Sequence, residues 1–184
     1  MLPELLLATP GDQERHLTAA IRGATREIDA LIRPMALPLS HRLEVAREFG
    51  RAVTRRVKVR LVLDYQASEL DYLAAILRES PVGAPSLEVR FHGPQLSALY
   101  LFDQHQAARL VRSPAMGTPG AHFGISSAEP EFVRLQVARF QSVWRDAVPV
   151  AHALRSSEGS VAIPGASFKE LRRWVDDVTA TEAR

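Results

Sequence analysis

Few residues in this 184-residue chain are of a type and spacing that could do chemistry. No cysteine is present, which excludes disulfides, thiolate metal sites and a thiol nucleophile. The six histidines (His16, His41, His92, His105, His122 and His152) are scattered, and no pair has the i,i+4 spacing that puts two imidazole ligands on one helix face. The ten glycines occur mostly singly, so no phosphate-cradling loop is expected, and no G-x-S-x-G nucleophile elbow exists. No metal and no cofactor is therefore expected. The stretch of most interest is QLSALYLFDQHQAARLVRSP, from Gln95 to Pro114. It reads as an apolar run, a polar turn holding Asp103 and His105, and a second apolar run ending at Arg112. A histidine in such a turn is expected to face solvent, and His92, just before Gly93, is expected to be structural.

The elements that must position these groups can be read from periodicity. Asp12 to about Ile32 predicts a helix, with Leu17, Ala20, Ile21, Ala24, Ile28 and Leu31 on one buried face. Asp12 is its candidate N-cap; with Arg15 three positions on, no capping box is expected. The end of this segment, IDALIRPM, is also readable as a short strand before Pro34. A second helix is predicted over Leu39 to Val53 with Ser40 as N-cap. VKVRLVLD (Val57–Asp64) predicts a central strand, apolar on both faces in its second half. A short helix (Ser68–Ser80), a strand (Leu87–Gly93), the hairpin and a strand near His122–Ser126 follow. Glu129–Val148 predicts a long helix whose apolar side includes Phe132, Leu135, Phe140, Val143 and Trp144, stopped by Pro149. Residues 151–166 read as a polar linker. Residues 167–184 hold a last helix, capped by Ser167 with Glu170 and presenting Phe168, Leu171, Trp174, Val175 and Val178. The order of elements implies an α/β sandwich with a mixed central sheet flanked by helices, plus a C-terminal helical appendage.

Hydrophobic content of 46% and charged content of 24% fit one globular domain, here 1–150, with an appendage. No apolar run reaches the roughly 18 residues that span a bilayer. The opening MLPELLLATP lacks the basic lead of a secretory signal. A cytoplasmic protein without membrane contact is expected. The basic residues are 21 Arg and only two Lys, Lys58 and Lys169, nearly balanced by 21 acids to a net charge of +2. That balance does not demand a nucleic-acid partner. RRVKVR (Arg55–Arg60) is locally basic and is expected to be a solvated strand entry.

VKVRLVLD, LEVRF, the hairpin and HFGISSAEPEFVRLQVARFQSVWRDA, in that order, resemble one half of a phospholipase D-like fold, over roughly Asp12 to Val150. In that superfamily the hairpin carries H-x-K-x-x-x-x-D. With Asp103 as the acid, the His position falls on Leu96 and the Lys position on Ala98. Neither side chain can attack or hold a phosphate. ATREIDALIRP (Ala24–Pro34), with Phe140, Trp144, Ala147 and Pro149, is similar more narrowly to the non-catalytic effector domains of TrmB-like and related bacterial transcription regulators. The resemblance implies a non-enzymatic sensor and dimerisation domain that forms a homodimer and takes a small-molecule effector. DNA would be reached only through a module not recognisable in this chain. A stand-alone nucleic-acid-binding protein on an inactivated nuclease scaffold, and a phosphodiesterase with an atypical site, are the alternatives. In such a fold a ligand crevice is expected over the sheet at the strand ends. Its candidate walls are Arg33, Asp64, Tyr65, Ser97, Tyr100, Arg112 and Ser126, with Ser127 beside them. Arg33 and Arg112 are candidates for clamping an anion.

Overall fold

A computed structural model of the chain describes residues 5–33, 37–64, 67–81, 84–93, 97–112 and 122–150. In chain order the elements are β1 (Leu5–Leu7), α1 (Pro10–Gly23), β2 (Glu27–Leu31), α2 (Leu39–Thr54), β3 (Lys58–Asp64) and α3 (Ala67–Glu79). There follow β4 (Leu87–His92), β5 (Ser97–Phe102), β6 (Gln106–Arg112), β7 (His122–Ser127), α4 (Pro130–Asp146) and β8 (Val148–Pro149). The strands form one sheet in the order β1-β7-β6-β5-β2-β3-β4-β8. β2, β3 and β4 run parallel, and every other pairing is antiparallel. This is the expected α/β sandwich with a mixed central sheet.

The strand pattern divides the core into two layers. Ile28, Ala30, Val59, Leu61, Leu63, Ala98, Tyr100, Phe102 and Leu110 point to the face covered by α1, α2 and α3. Leu31, Val62, Leu99, Leu101 and Ala107 point to the other face, where Val133, Phe140 and Trp144 of α4 cover them. On the first face α2 and α3 cross closely at Gly50. A Cβ there would lie 2.5 Å from the Ile76 carbonyl oxygen, so no larger residue fits without moving backbone.

The first predicted helix is two elements. α1 ends at Gly23, and Glu27–Leu31 is a central strand bonded to β3 on one side and β5 on the other. Ile28 and Leu31 continue the helical spacing only because a doubly buried strand is apolar on both faces, which periodicity cannot tell from a helix. The cap also differs. Thr9, not Asp12, is the N-cap: its Oγ1 accepts from the Asp12 N–H at 3.1 Å, while the Asp12 carboxylate accepts from the Thr9 N–H at 3.2 Å. A capping box is thus present, with Pro10 in the first helical turn, where its missing N–H costs nothing. α2 starts one residue before Ser40; Pro38 is its N-cap and no side chain bonds there. α4 is capped by Glu129, which accepts from the Phe132 N–H at 2.6 Å. It ends at Asp146, because Val148 and Pro149 leave it to pair with Phe91 and Arg90 of β4. Leu135 is not part of its core face; it is 55% exposed, and Val133, Gln136, Phe140 and Trp144 are the buried stripe. β1 went unread because three residues carry no period, yet Leu7 is buried against Gly124. The predicted linker and C-terminal helix lie outside the described residues. Among those described, no helix is long and apolar enough to cross a membrane.

Candidate functional site

The hairpin is built as the sequence implies, and its acid has a structural task. Phe102 accepts from the His105 N–H at 3.0 Å across a turn in which Asp103 and Gln104 both have positive φ, 52° and 57°. That conformation twists in the sense that a two-stranded ribbon needs. It turns the Asp103 carboxylate back onto the strand start of β2. There it accepts from the backbone N–H of Thr25 (3.0 Å), Arg26 (2.8 Å) and Glu27 (2.9 Å), and from the Thr25 hydroxyl at 3.2 Å. Burial pushes the Asp103 carboxyl up, but these bonds outweigh it and hold the group below its ordinary value. Of the two positions where the resemblance puts reactive groups, Leu96 lies outside the described residues. Ala98 is fully buried in the layer beneath α1–α3. His105 is exposed at the turn, as expected. His92 is half-buried, and its Nδ1 lies 3.3 Å from the Gly93 carbonyl oxygen.

The expected crevice residues do not gather on one face. Asp64 shares the α4 face with Val62, at the carboxyl end of β3 and in register with His92. Ser97 shares that face with Leu99 and Leu101. Arg33, two residues past β2, is half-buried. Tyr100 points the other way, stacked on Phe49 with ring centroids 6.3 Å apart, and is 3% exposed. Ser126 also lies on the α1 side. The single wall drawn from the sequence is therefore split by the sheet itself, because strand residues of opposite parity face opposite layers. Tyr65 and the Arg112 side chain lie outside the described residues; the Arg112 backbone pairs with His122. Ser127 is buried and accepts from the Glu129 N–H at 3.1 Å, so it shapes the turn into α4.

Two grooves flank the hairpin and meet at His105. One, of about 440 Å³, lies between α1 and the hairpin and is lined by His16, Ala20, Phe102, Asp103, His105 and Gln106. Its polar wall includes His16 and Gln106, which hydrogen-bond behind it to buried Ser126, the one member of this trio that the sequence offered as a site candidate. His16 Nε2 lies 2.8 Å from Ser126 Oγ, and Gln106 Nε2 donates to Ser126 Oγ at 3.1 Å. Gln106 Nε2 also lies 3.3 Å from His16 Nε2. Burial lowers the His16 pKa from its ordinary value. Ser126 is 2% exposed, so no substrate carbon can reach its hydroxyl. The trio is a hydrogen-bonding wall rather than a nucleophile and its base. The second groove, of about 310 Å³, runs between the hairpin tip and the first turns of α4, past Gln104, Pro130, Val133 and Arg134.

The α4 face holds most of the remaining charge. Arg60, expected in solvent, instead forms a forked pair with buried Asp29 at 2.7 and 2.6 Å, and its side chain is 13% exposed. Burial opposes the Arg60 charge, but the Asp29 fork prevails and raises its pKa. Its guanidinium lies over Phe140 and Trp144, and Arg90 covers Trp144 at 4.2 Å while donating to the Trp144 carbonyl at 2.9 Å. These contacts clamp α4 to the sheet. Among the described residues no three His, Asp or Glu side chains gather as metal ligands would.

No family model matches the chain, and no curated protein matches it in sequence. Solved structures do match it in fold. TrmBL2, an archaeal chromatin protein whose structure shows a novel mode of DNA binding, aligns at TM-score 0.63 with 15% identity, covering 80% of this chain and 54% of TrmBL2. This chain thus spans about half the length of TrmBL2. Nuc from Salmonella typhimurium, a phospholipase D family member, aligns at 0.60 with 12% identity, covering 81% and 98% of the two chains. NucT from Helicobacter pylori aligns at 0.60 with 14% identity, covering 81% and 99%. At such identities the likeness is one of architecture: the chain has a phospholipase D-like α/β fold.

Proposed function

We propose that this chain is a non-catalytic phospholipase D-like sensor and dimerisation domain of a transcription regulator, taking a small-molecule effector. The observation that carries the reading is the fate of the hairpin. Its acid is committed to three backbone N–H groups, and the position that would need a lysine is a fully buried alanine. A scaffold that keeps the fold and drops both reactive groups is suited to binding and assembly rather than to turnover. The fold likeness to TrmBL2, a chromatin protein, supports a setting on DNA. Hydrolysis of a chromogenic phosphodiester tests this. No turnover above buffer is expected from the full chain; turnover abolished by one His→Ala change would overturn the reading and install the phosphodiesterase alternative.

Direct nucleic-acid binding is the second reading, supported by a calculated pI of about 9.4 and by the DNA-binding TrmBL2 fold. It requires duplex affinity that falls steeply with salt, by several phosphates' worth of slope. Affinity absent at low salt would end it.

A further inference from the structure

The α4 side of the sheet is covered over only part of its width. α4 packs over β2, β4, β5 and β6. Beyond it the strand pairings set Leu99, Arg109, Ile125 and Leu6 side by side on β5, β6, β7 and β1, with Val111 beside Phe123 in the next row. Strand parity sends all six to the α4 side, because their chain neighbours Leu110, Gly124 and Leu7 meet on the other face. Of the six only Leu99 belongs to the layer beneath α4. Val111, Phe123 and Ile125 are half-buried, and Leu6 is 64% exposed. This end of the sheet thus presents four apolar side chains with one cation, Arg109, at their inner border. Arg109 is half-buried and donates from Nε to the Ser97 hydroxyl at 3.2 Å; among the described residues it forms no ion pair. None of the patch's own side chains is an acid.

The course of the chain after β8 supplies the second observation. Pro149 pairs with Arg90, Arg90 with Val62, Val62 with Leu31, and Leu31 with Leu99. The chain therefore leaves the sheet on the same cross-strand row as Arg109, Ile125 and Leu6. From β8 to β7 is six strand spacings, about 29 Å. Residues 151–166 span about 50 Å when extended, which is reach enough. Residues 167–184 then carry Phe168, Leu171, Trp174, Val175 and Val178 at helical spacing, with Glu170 and Asp177, seven positions apart, on one flank of that stripe. A second copy of the patch would bring another Arg109 against the first and no acid. The C-terminal segment brings an apolar face together with two acids.

We propose that residues 167–184 dock as a helix on Leu6, Val111, Phe123 and Ile125 of their own chain, with Glu170 and Asp177 turned toward Arg109. The segment then buries apolar surface that α4 leaves open and shields the β1 edge from pairing with other sheets. This seating is independent of the sensor reading and holds whether or not an effector binds.

The chain has no cysteine, so an introduced pair can link only with itself. The test is disulfide formation in the full chain between Leu6→Cys and Val175→Cys, equilibrated against a glutathione buffer. Gly23→Cys with Val175→Cys is the control: Gly23 is exposed at the end of α1, and a Cβ there meets no atom within 4 Å. Leu6 and Gly23 are both exposed, so neither change disturbs the core. The Leu6 pair is expected to close within one chain, at an effective concentration about a hundredfold above that of the Gly23 pair, which reports only a tethered segment. Arg109→Glu is expected to lower the effective concentration of the Leu6 pair about tenfold, and adding Glu170→Lys with Asp177→Lys to recover it. Equal effective concentrations for the two pairs overturn the docking. Links that form between chains, at twice the chain mass, assign the patch to a second copy or its C-terminal segment and overturn it as well. A loss with Arg109→Glu that the two lysines do not recover overturns the acidic seating.

Discussion

Asp103 shows how one side chain can tie a hairpin to the strand beside it. Its carboxylate collects three backbone N–H groups at the start of β2, donors that would otherwise be unpaired beside a sheet. Asp103→Asn keeps the shape but turns an amide N–H toward those donors. We expect a loss of about 2–3 kcal/mol at pH 7 in denaturant unfolding, the range of charge-assisted bonds. The sign with pH follows from the lowered folded pKa. The stabilisation is complete above the ordinary carboxyl value of 3.8 and is lost as pH falls through the lower folded one. The gap between the two proteins should stay flat from neutral pH to about 5 and narrow below about 4. A constant gap down to pH 2 would contradict this account. The sequence marked Asp103 as the surviving member of a motif; that its partners are Thr25, Arg26 and Glu27 is a contact across 77 residues or so that no spacing reveals.

At the scale of elements, helix ends and the α4 clamp decide where the layers sit. α2 closes with Arg56 in the left-handed region at φ 66°, where its N–H bonds the Val53 carbonyl and the Val57 N–H bonds the Ala52 carbonyl. Glycine suits that position better than arginine, so Arg56→Gly is expected to stabilise by about 0.5 kcal/mol, read as a higher denaturation midpoint at unchanged slope. The Asp29–Arg60 fork beneath Phe140 and Trp144 is a stronger test. Arg60→Met strands a buried carboxylate and should cost about 3–5 kcal/mol; adding Asp29→Leu should restore most of it. If the double variant is no better than the single one, the arginine acts through its stacking on the rings rather than through the pair. The sequence read α4 almost whole, because seventeen residues give the helical period time to show. It ran the first helix on to Ile32, because a doubly buried strand mimics that period, although its alternative reading of IDALIRPM as a short strand is the one that β2 bears out.

For the whole molecule, assembly is the open question with the most direct measurement. We expect light scattering on the full chain to give twice the 20.3 kDa chain mass. A monomer over a hundredfold range of concentration would remove dimerisation from the proposed function.

Local chemistry written in the sequence was enough to determine the hairpin, the central strand and the last helix of the sheet domain. Each depends on residues within about twenty positions of one another, where period, turn type and motif spacing act directly. The tertiary structure alone decided which candidate residues share a face. A strand sends alternate side chains to opposite layers, so Tyr100 went beneath the helices while Ser97 faced α4. It also decided that Arg60 would be neutralised, and that Arg109 and Arg139 would meet no acid among the described residues. Charge compensation is a property of neighbours in space, and residues 31 positions apart, like Asp29 and Arg60, become neighbours only when β2 and β3 have paired.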